Sequence, residues 1–324
     1  MKQYSGLDWI KIDIANQFGI NGTFLAQIKW VNKQHKLQER VLEAKHPARY
    51  MAACIALEDA EIGHPTGHLV GLDASASGAQ MMAALISCKT TARNTGIIGK
   101  RKSDLYSLTT LEMGKILGNK VILDRDKIKS AVMTRFYGSK AIPVKLFGKG
   151  TPELRAFYQA LQNIAPGAAD LMHIFMQAWQ PYAEEHSWVM PDGFQVRVPV
   201  IQKAQEMIHI PDLDTEVLLQ SSVIEGELKG ISLPAHITHS VDSYVMREVI
   251  KRCPFELLCT HDEYLAHPNN MNEVRQAYVD VLAEIADGNL LDSILSQITG
   301  ETVHIEKYDT GLGTLIRQAE YAIA

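Results

Sequence analysis

Apolar residues recur at intervals of three or four across residues 7–60, with Ile12, Ala15 and Phe18 in one run and Phe24, Ile28 and Val31 in another. That interval lays a hydrophobic stripe along one side of a helix. The pattern then changes. His68-Leu69-Val70-Gly71-Leu72 is too brief for a helix and reads as a strand that delivers Asp73 at its C-terminal end. Residues 75–78 read as a turn and residues 79–86 as the helix that follows it. Residues 124–137 predict a further helix. Asp124 serves as its N-cap, Asp126 sits in the positive first turn, and Gly138 is its stop. Residues 188–200 read as a hairpin turning at Pro191-Asp192-Gly193. A second hairpin runs from Phe255 to Ala266 with His261-Asp262 at its tip, and a helix is expected from Asn272 to Ala286. The expected fold is therefore α/β of the α+β kind: helix-rich, with a small antiparallel sheet carrying both Asp73 and Asp262.

The chain has 324 residues, 46% hydrophobic and 21% charged, which suits a globular core and argues against disorder. No apolar run approaches the roughly 20 residues of a membrane helix, and no hydrophobic leader follows Met1, so neither a membrane nor a secretory route is expected. Cys54, Cys88, Cys253 and Cys259 form no CxxC pair and read as reduced, buried thiols of a cytoplasmic protein. The net charge of −5 conceals an asymmetry. Residues 89–149 hold 14 Lys and Arg against 4 Asp and Glu, while the rest holds 18 against 33. A basic segment in an acidic chain fits a confined phosphate-binding surface, or else a solvated basic face.

Nucleotidyl transfer uses two divalent cations about 3.5–4 Å apart, held by hard oxygen ligands. Asp73 at a strand end and Asp262 at a hairpin tip could meet if their strands are neighbours, although either alone is ordinarily a turn former. On the helix of residues 124–137, Arg125, Lys129, Met133 and Tyr137 stand four apart and span one broad side about 18 Å long. Arg125 and Lys129 would meet phosphates there, and Tyr137 would offer an aromatic surface to a base or sugar. An amphipathic helix with a basic side is the plain alternative. Two other spacings resemble metal sites, His236-x-x-His239 and His64-x-x-x-His68, but no Cys pair or zinc-protease Glu accompanies them. Lys100-Arg101-Lys102 reads as a contact to template phosphates or as solvated charge.

Taken together, Asp73 to Gly78, Arg125-x-x-x-Lys129-x-x-x-Met133-Thr134-x-x-Tyr137-Gly138, and His239-Ser240-x-Asp242 followed by His261-Asp262 resemble motifs A, B and C of the single-subunit bacteriophage-type DNA-directed RNA polymerases, which include the mitochondrial enzymes. Trp9-Ile10-Lys11-Ile12, the segment from Trp188 to Phe194 and the terminal Tyr321-Ala322-Ile323-Ala324 are similar to other parts of that family. The resemblance implies a right-handed palm and fingers: palm from residues 1–89 and 239–324, fingers from 90–238. It implies two Mg²⁺ ions on Asp73, Asp262 and the carbonyl of Ala74, with Asp73, Asp262, Lys129 and Tyr137 catalytic. Arg125, Lys129, Met133, Tyr137, Gly138, His239 and Gly78 would bind the incoming NTP. His261 and Lys100, Arg101 and Lys102 would touch the DNA template and RNA product. Related DNA polymerases carry Glu where Gly78 stands, and the glycine leaves room for a ribose 2′-hydroxyl.

The departures are as telling. The family's Asp-x-x-Gly-Arg element, its promoter-recognition domain and its thumb are not found here, Ser130 replaces a residue that is often basic, and Glu263 replaces a Ser. The chain thus resembles the catalytic subunit of a split phage enzyme, working with a second polymerase subunit in the host cytoplasm. The competing readings are a DNA polymerase fragment and a non-catalytic nucleic-acid-binding remnant.

Overall fold

A computed structural model describes residues 1–118, 124–200, 202–223 and 232–324. The first apolar stripe folds as three helices, α1 (Gly6–Phe18), α2 (Phe24–Asn32) and α3 (Pro47–Glu61). The stripe cannot continue as one rod because Gly19 takes φ +100° and caps α1, and Thr23 caps α2 by accepting from the Ala26 amide. Strand β1 (Val70–Asp73) follows, two residues later than the apolar run begins. His68 lies outside it, held at 2.8 Å by buried Asp13 of α1.

Helix α4 (Ser77–Leu85) begins two residues ahead of the expected start, after Ala76 at φ +71°, and every one of its residues is buried. A largely helical stretch comes next: α5 (Lys89–Asn94), α6 (Leu105–Ile116), α7 (Arg125–Phe136), α8 (Ala141–Phe147), α9 (Pro152–Ile164) and α10 (Pro166–Gln177). The caps of α7 are as expected. Asp124 accepts from the Asp126 amide, and Gly138 turns the chain at φ +90°. The hairpin expected at 188–200 forms as β2 (Glu185–Val189) and β3 (Gln195–Pro199). A longer hairpin, β4 (Gln202–Ile210) with β5 (Thr215–Val223), has no counterpart in the sequence reading.

Helix α11 (Leu233–Arg252) leads to β6 (Leu257–Thr260) and β7 (Glu263–Ala266), then α12 (Met271–Asp287), α13 (Leu290–Thr299) and α14 (Leu312–Ile316). The three-stranded sheet has the order β1-β7-β6 and is antiparallel throughout. Its register sets Asp73 opposite Glu263. Opposed residues on antiparallel strands face the same side, so register alone carries Asp73 to the hairpin tip. The other side of the sheet is buried through Val70, Leu72, Tyr264 and Ala266. Among the described residues no helix is long and apolar enough to cross a membrane. Cys54, Cys88 and Cys253 are buried and Cys259 is half-buried, all as thiols.

Candidate active site

The β6–β7 tip is tight. His261 adopts φ +57°, a left-handed conformation uncommon outside glycine, and this turns Asp262 back toward β1. The Ala74 amide donates to the Asp262 carbonyl at 3.2 Å, locking the end of β1 to the tip. From the other side Ile323 forms a bridge with Ala74, and the Ala324 amide donates to the Asp73 carbonyl at 3.0 Å. Backbone on both flanks therefore fixes Asp73.

Five parts of the chain wall a cavity of about 440 Å³, Tyr106 of α6 among them. The end of β1 and the start of α4 supply Asp73 to Ala79, with Gly78 on the wall; the hairpin tip supplies His261 and Asp262. Helix α7 supplies Lys129, Met133 and Tyr137, and α11 supplies His239 and Asp242 one helical turn apart. The rings of Tyr137 and His239 stack at 4.6 Å and 7°. A Cβ built on Gly78 would lie 3.3 Å from the Thr238 methyl and 3.6 Å from the Tyr137 hydroxyl. Glycine thus keeps open the space in front of that ring.

The cavity carries excess negative charge. Crowding by protein atoms, then Asp262 and Glu263, push the Asp73 carboxyl up to about 6. Burial and Asp262 push Asp242 up to about 6 as well, against a smaller opposing pull from His261. Lys129 opposes the rise at Asp73, while its ammonium lies 5.7 Å from the Tyr106 ring. Lys102 also faces Asp73, and its ammonium is pushed down by burial. Burial and then the nearby His236 and His261 lower His239, keeping it toward the neutral form.

Not every expected residue reaches the cavity. Arg125 is turned away, bound through Nη2 to Asp104 at 2.7 Å and set 5.7 Å from the Tyr106 ring. Lys100 and Arg101 are exposed and do not line the cavity, whereas Lys102 approaches the Ala324 carbonyl at 3.5 Å. Gly138 serves the turn after α7. The histidine pairs that mimic metal sites take separate roles. His68 binds Asp13, His64 lies near Asp59, and His239 stacks on Tyr137.

Residues 2–147 match the family model described as DNA-dependent RNA polymerase, a span that includes Asp73, Lys129 and Tyr137. Over that span the chain resembles the DNA-dependent RNA polymerases. It is similar to mitochondrial DNA-directed RNA polymerase 1 of Nicotiana sylvestris and to mitochondrial DNA-directed RNA polymerase 1B of Nicotiana tabacum, each 21% identical over 356 aligned residues. Those alignments cover 90% of this chain and 35% of each relative. The chain therefore spans about a third of the length of the curated relatives it matches.

The donor set of this cavity fits hard divalent cations. Asp73, Asp242 and Asp262 line one cavity, and burial followed by repulsion from Asp262 raises Asp73, so a hard cation bound there would offset concentrated negative charge. Among the described residues no three of His, Cys, Asp or Glu converge into a ready cage. Asp242 and Tyr106 belong to the site but were not among the expected site residues. Asp242 was signalled by its place one helical turn after His239. Tyr106 carries no local signal, because only the packing of α6 on α7 brings it there.

Proposed function

We propose that this chain is the catalytic part of a DNA-directed RNA polymerase, adding nucleoside monophosphates from NTPs to an RNA 3′ end on a DNA template and releasing pyrophosphate. The observation that carries this reading is the single cavity shared by Asp73, Asp262, Lys129, Tyr137, His239 and Gly78, which come from four separate parts of the chain. Residues 1–89 and 239–324 would act as palm and 90–238 as fingers. In this reading it would work with a second polymerase subunit.

Two Mg²⁺ ions held by Asp73, Asp262 and the Ala74 carbonyl would activate the attacking hydroxyl and offset phosphate charge. Lys129 draws the triphosphate toward the carboxylates by its own positive charge. Arg125 would join it by exchanging Asp104 for a phosphate, a swap of one oxyanion for another. The Tyr137–His239 stack presents a flat surface against which the nucleotide's base or sugar can be positioned. Gly78 leaves room beside that stack for a 2′-hydroxyl, so that NTPs are accepted. His261 and Lys102 would touch primer and template phosphates.

Primer extension tests the reading. A labelled RNA primer on a DNA template is incubated with NTPs, Mg²⁺ and the chain, with and without extract containing its native partner. Extension that Asp262→Asn abolishes is expected, either by the chain alone or only with the partner. Template-directed extension that survives Asp262→Asn, or no extension with the partner confirmed bound, would discard it.

A further inference from the structure

We propose that a second cavity, on another side of α7, binds a small carboxylate carrying an apolar body. It encloses about 320 Å³ between α7, α9 and α10, within the roughly 300–1,000 Å³ of small-ligand pockets. Tyr158 and Leu161 of α9, Met172 of α10 and Phe136 of α7 give it a largely apolar wall. Into that wall is set Arg135, only 6% exposed. Its Nη1 is buried with no hydrogen-bond partner, and no carboxylate lines the cavity among the described residues. The Tyr158 ring, 5.5 Å from the guanidinium, is its visible support, and a cation–π contact offsets only part of the cost of burying a charge.

An unpaired buried guanidinium is a poor structural choice, since methionine would fill the same volume without the desolvation cost. It is a good choice for binding, because its planar fork matches a carboxylate in two parallel hydrogen bonds. Burial lowers the Arg135 pKa, which a bound anion would reverse. Exposed Lys140 and His173 also line the chamber, and the Lys140 ammonium adds positive charge there. One buried cation in a largely apolar chamber, with Lys140, Gln162 and His173 as the other polar lining, favours an amphipathic monoanion over a fully hydrophilic phosphate. Phe136 lines both this cavity and the active site, so the two share one side chain.

Thermal melts and calorimetry of the full 324-residue chain with hexanoate test the proposal, with uncharged hexanamide as control. Hexanoate is expected to raise the melting temperature saturably and hexanamide is not. Arg135→Met should melt at or above wild type without ligand and bind hexanoate at least about tenfold more weakly, as loss of a charged hydrogen bond implies. Ala169→Leu fills the chamber while leaving Arg135 in place, and it should remove binding as well; it decides the matter if Arg135→Met does not fold. Equal stabilisation of wild type and Arg135→Met, equal effects of hexanoate and hexanamide, or no stabilisation of wild type would overturn the proposal. Binding is read without turnover, so the result stands apart from the primer-extension outcome.

Discussion

At the residue scale, Gly78 and Asp73 act by opposite means, one by leaving space and the other by holding charge. A Cβ at position 78 meets only the Thr238 methyl closely, at 3.3 Å, so Gly78→Glu should fold with a shift of a few tenths of an ångström. Its carboxylate would then run toward Tyr137 and fill the space beside the nucleotide. Competition between NTPs and dNTPs should show ribonucleotide preference reduced about 10–100-fold, the range one steric or polar discrimination supplies. Unchanged ribonucleotide use would remove the steric role. Asp73 makes a pH prediction for chelated, metal-free protein. Its folded value of about 6 lies above the ordinary carboxyl value of 3.8, so the folded state binds the proton more tightly than the unfolded chain. The Asp73 contribution to stability therefore falls as pH rises from about 4 to above 6. Relative to wild type, Asp73→Asn should melt progressively higher across that window, and Mg²⁺ at pH 7 should raise the wild-type midpoint but not the variant's. A wild-type-minus-variant difference that stays flat with pH would show that Asp73 carries no such strain.

At the element scale, what could be read in the sequence follows how local its determinants are. The α7 helix was legible because Asp124, Asp126 and Gly138 act within a few residues of their own backbone. Both expected hairpins were legible from turn residues and alternation. The β4–β5 hairpin was not, since Met207, Ile208, Val217, Leu218 and Leu219 are all exposed and give no alternation between an inner and an outer side. The convergence of Asp73 and Asp262 was legible only through family resemblance, because strand order is a non-local choice. Nothing local announced that Asp104 would hold Arg125, or that the hairpin turn would dock on α11. There Asp192 binds the Arg247 guanidinium through two oxygens, one contact being Nη2 to Oδ1 at 3.1 Å, with Lys251 also 3.9 Å away. Arg247, followed by burial working the other way, holds the Asp192 carboxyl below its usual range. The pair therefore contributes fully above pH 4 and is lost as pH falls through the lowered value. At pH 7 Asp192→Ala should cost about 2 kcal/mol in denaturant unfolding by stranding Arg247. The loss should shrink toward pH 3, and a pH-independent loss would point to packing instead.

At the scale of the whole molecule, one buried cation ties both ends of the chain to the site. Arg275 of α12 is 2% exposed and donates to the Lys2 carbonyl at 3.1 Å, to the Glu320 carbonyl at 2.8 Å and to the Glu320 carboxylate at 3.3 Å. Its guanidinium also lies 5.2 Å from the Trp9 ring and 5.1 Å from the Phe24 ring. The segment it anchors continues into Tyr321, whose hydroxyl accepts from the Phe24 amide, and then into Ile323 and Ala324, which pair with the backbone of Ala74 and Asp73. Unlike Arg135, this guanidinium has its donors matched, so removing it leaves the Lys2 and Glu320 carbonyls without it, while the Glu320 carboxylate keeps the Lys2 amide at 2.8 Å. Arg275→Met keeps similar bulk and should lose about 2 kcal/mol, the scale of losing charged hydrogen bonds to two carbonyls. The loss should appear first at the tail. Brief carboxypeptidase digestion should release residues 321–324 from the variant well before the wild type, and nucleotide addition should fall with that release, since Asp73 loses one of its two backbone clamps. A variant with wild-type stability and an equally protected tail would mean that the last residues are held by Tyr321 and the β-bridge alone.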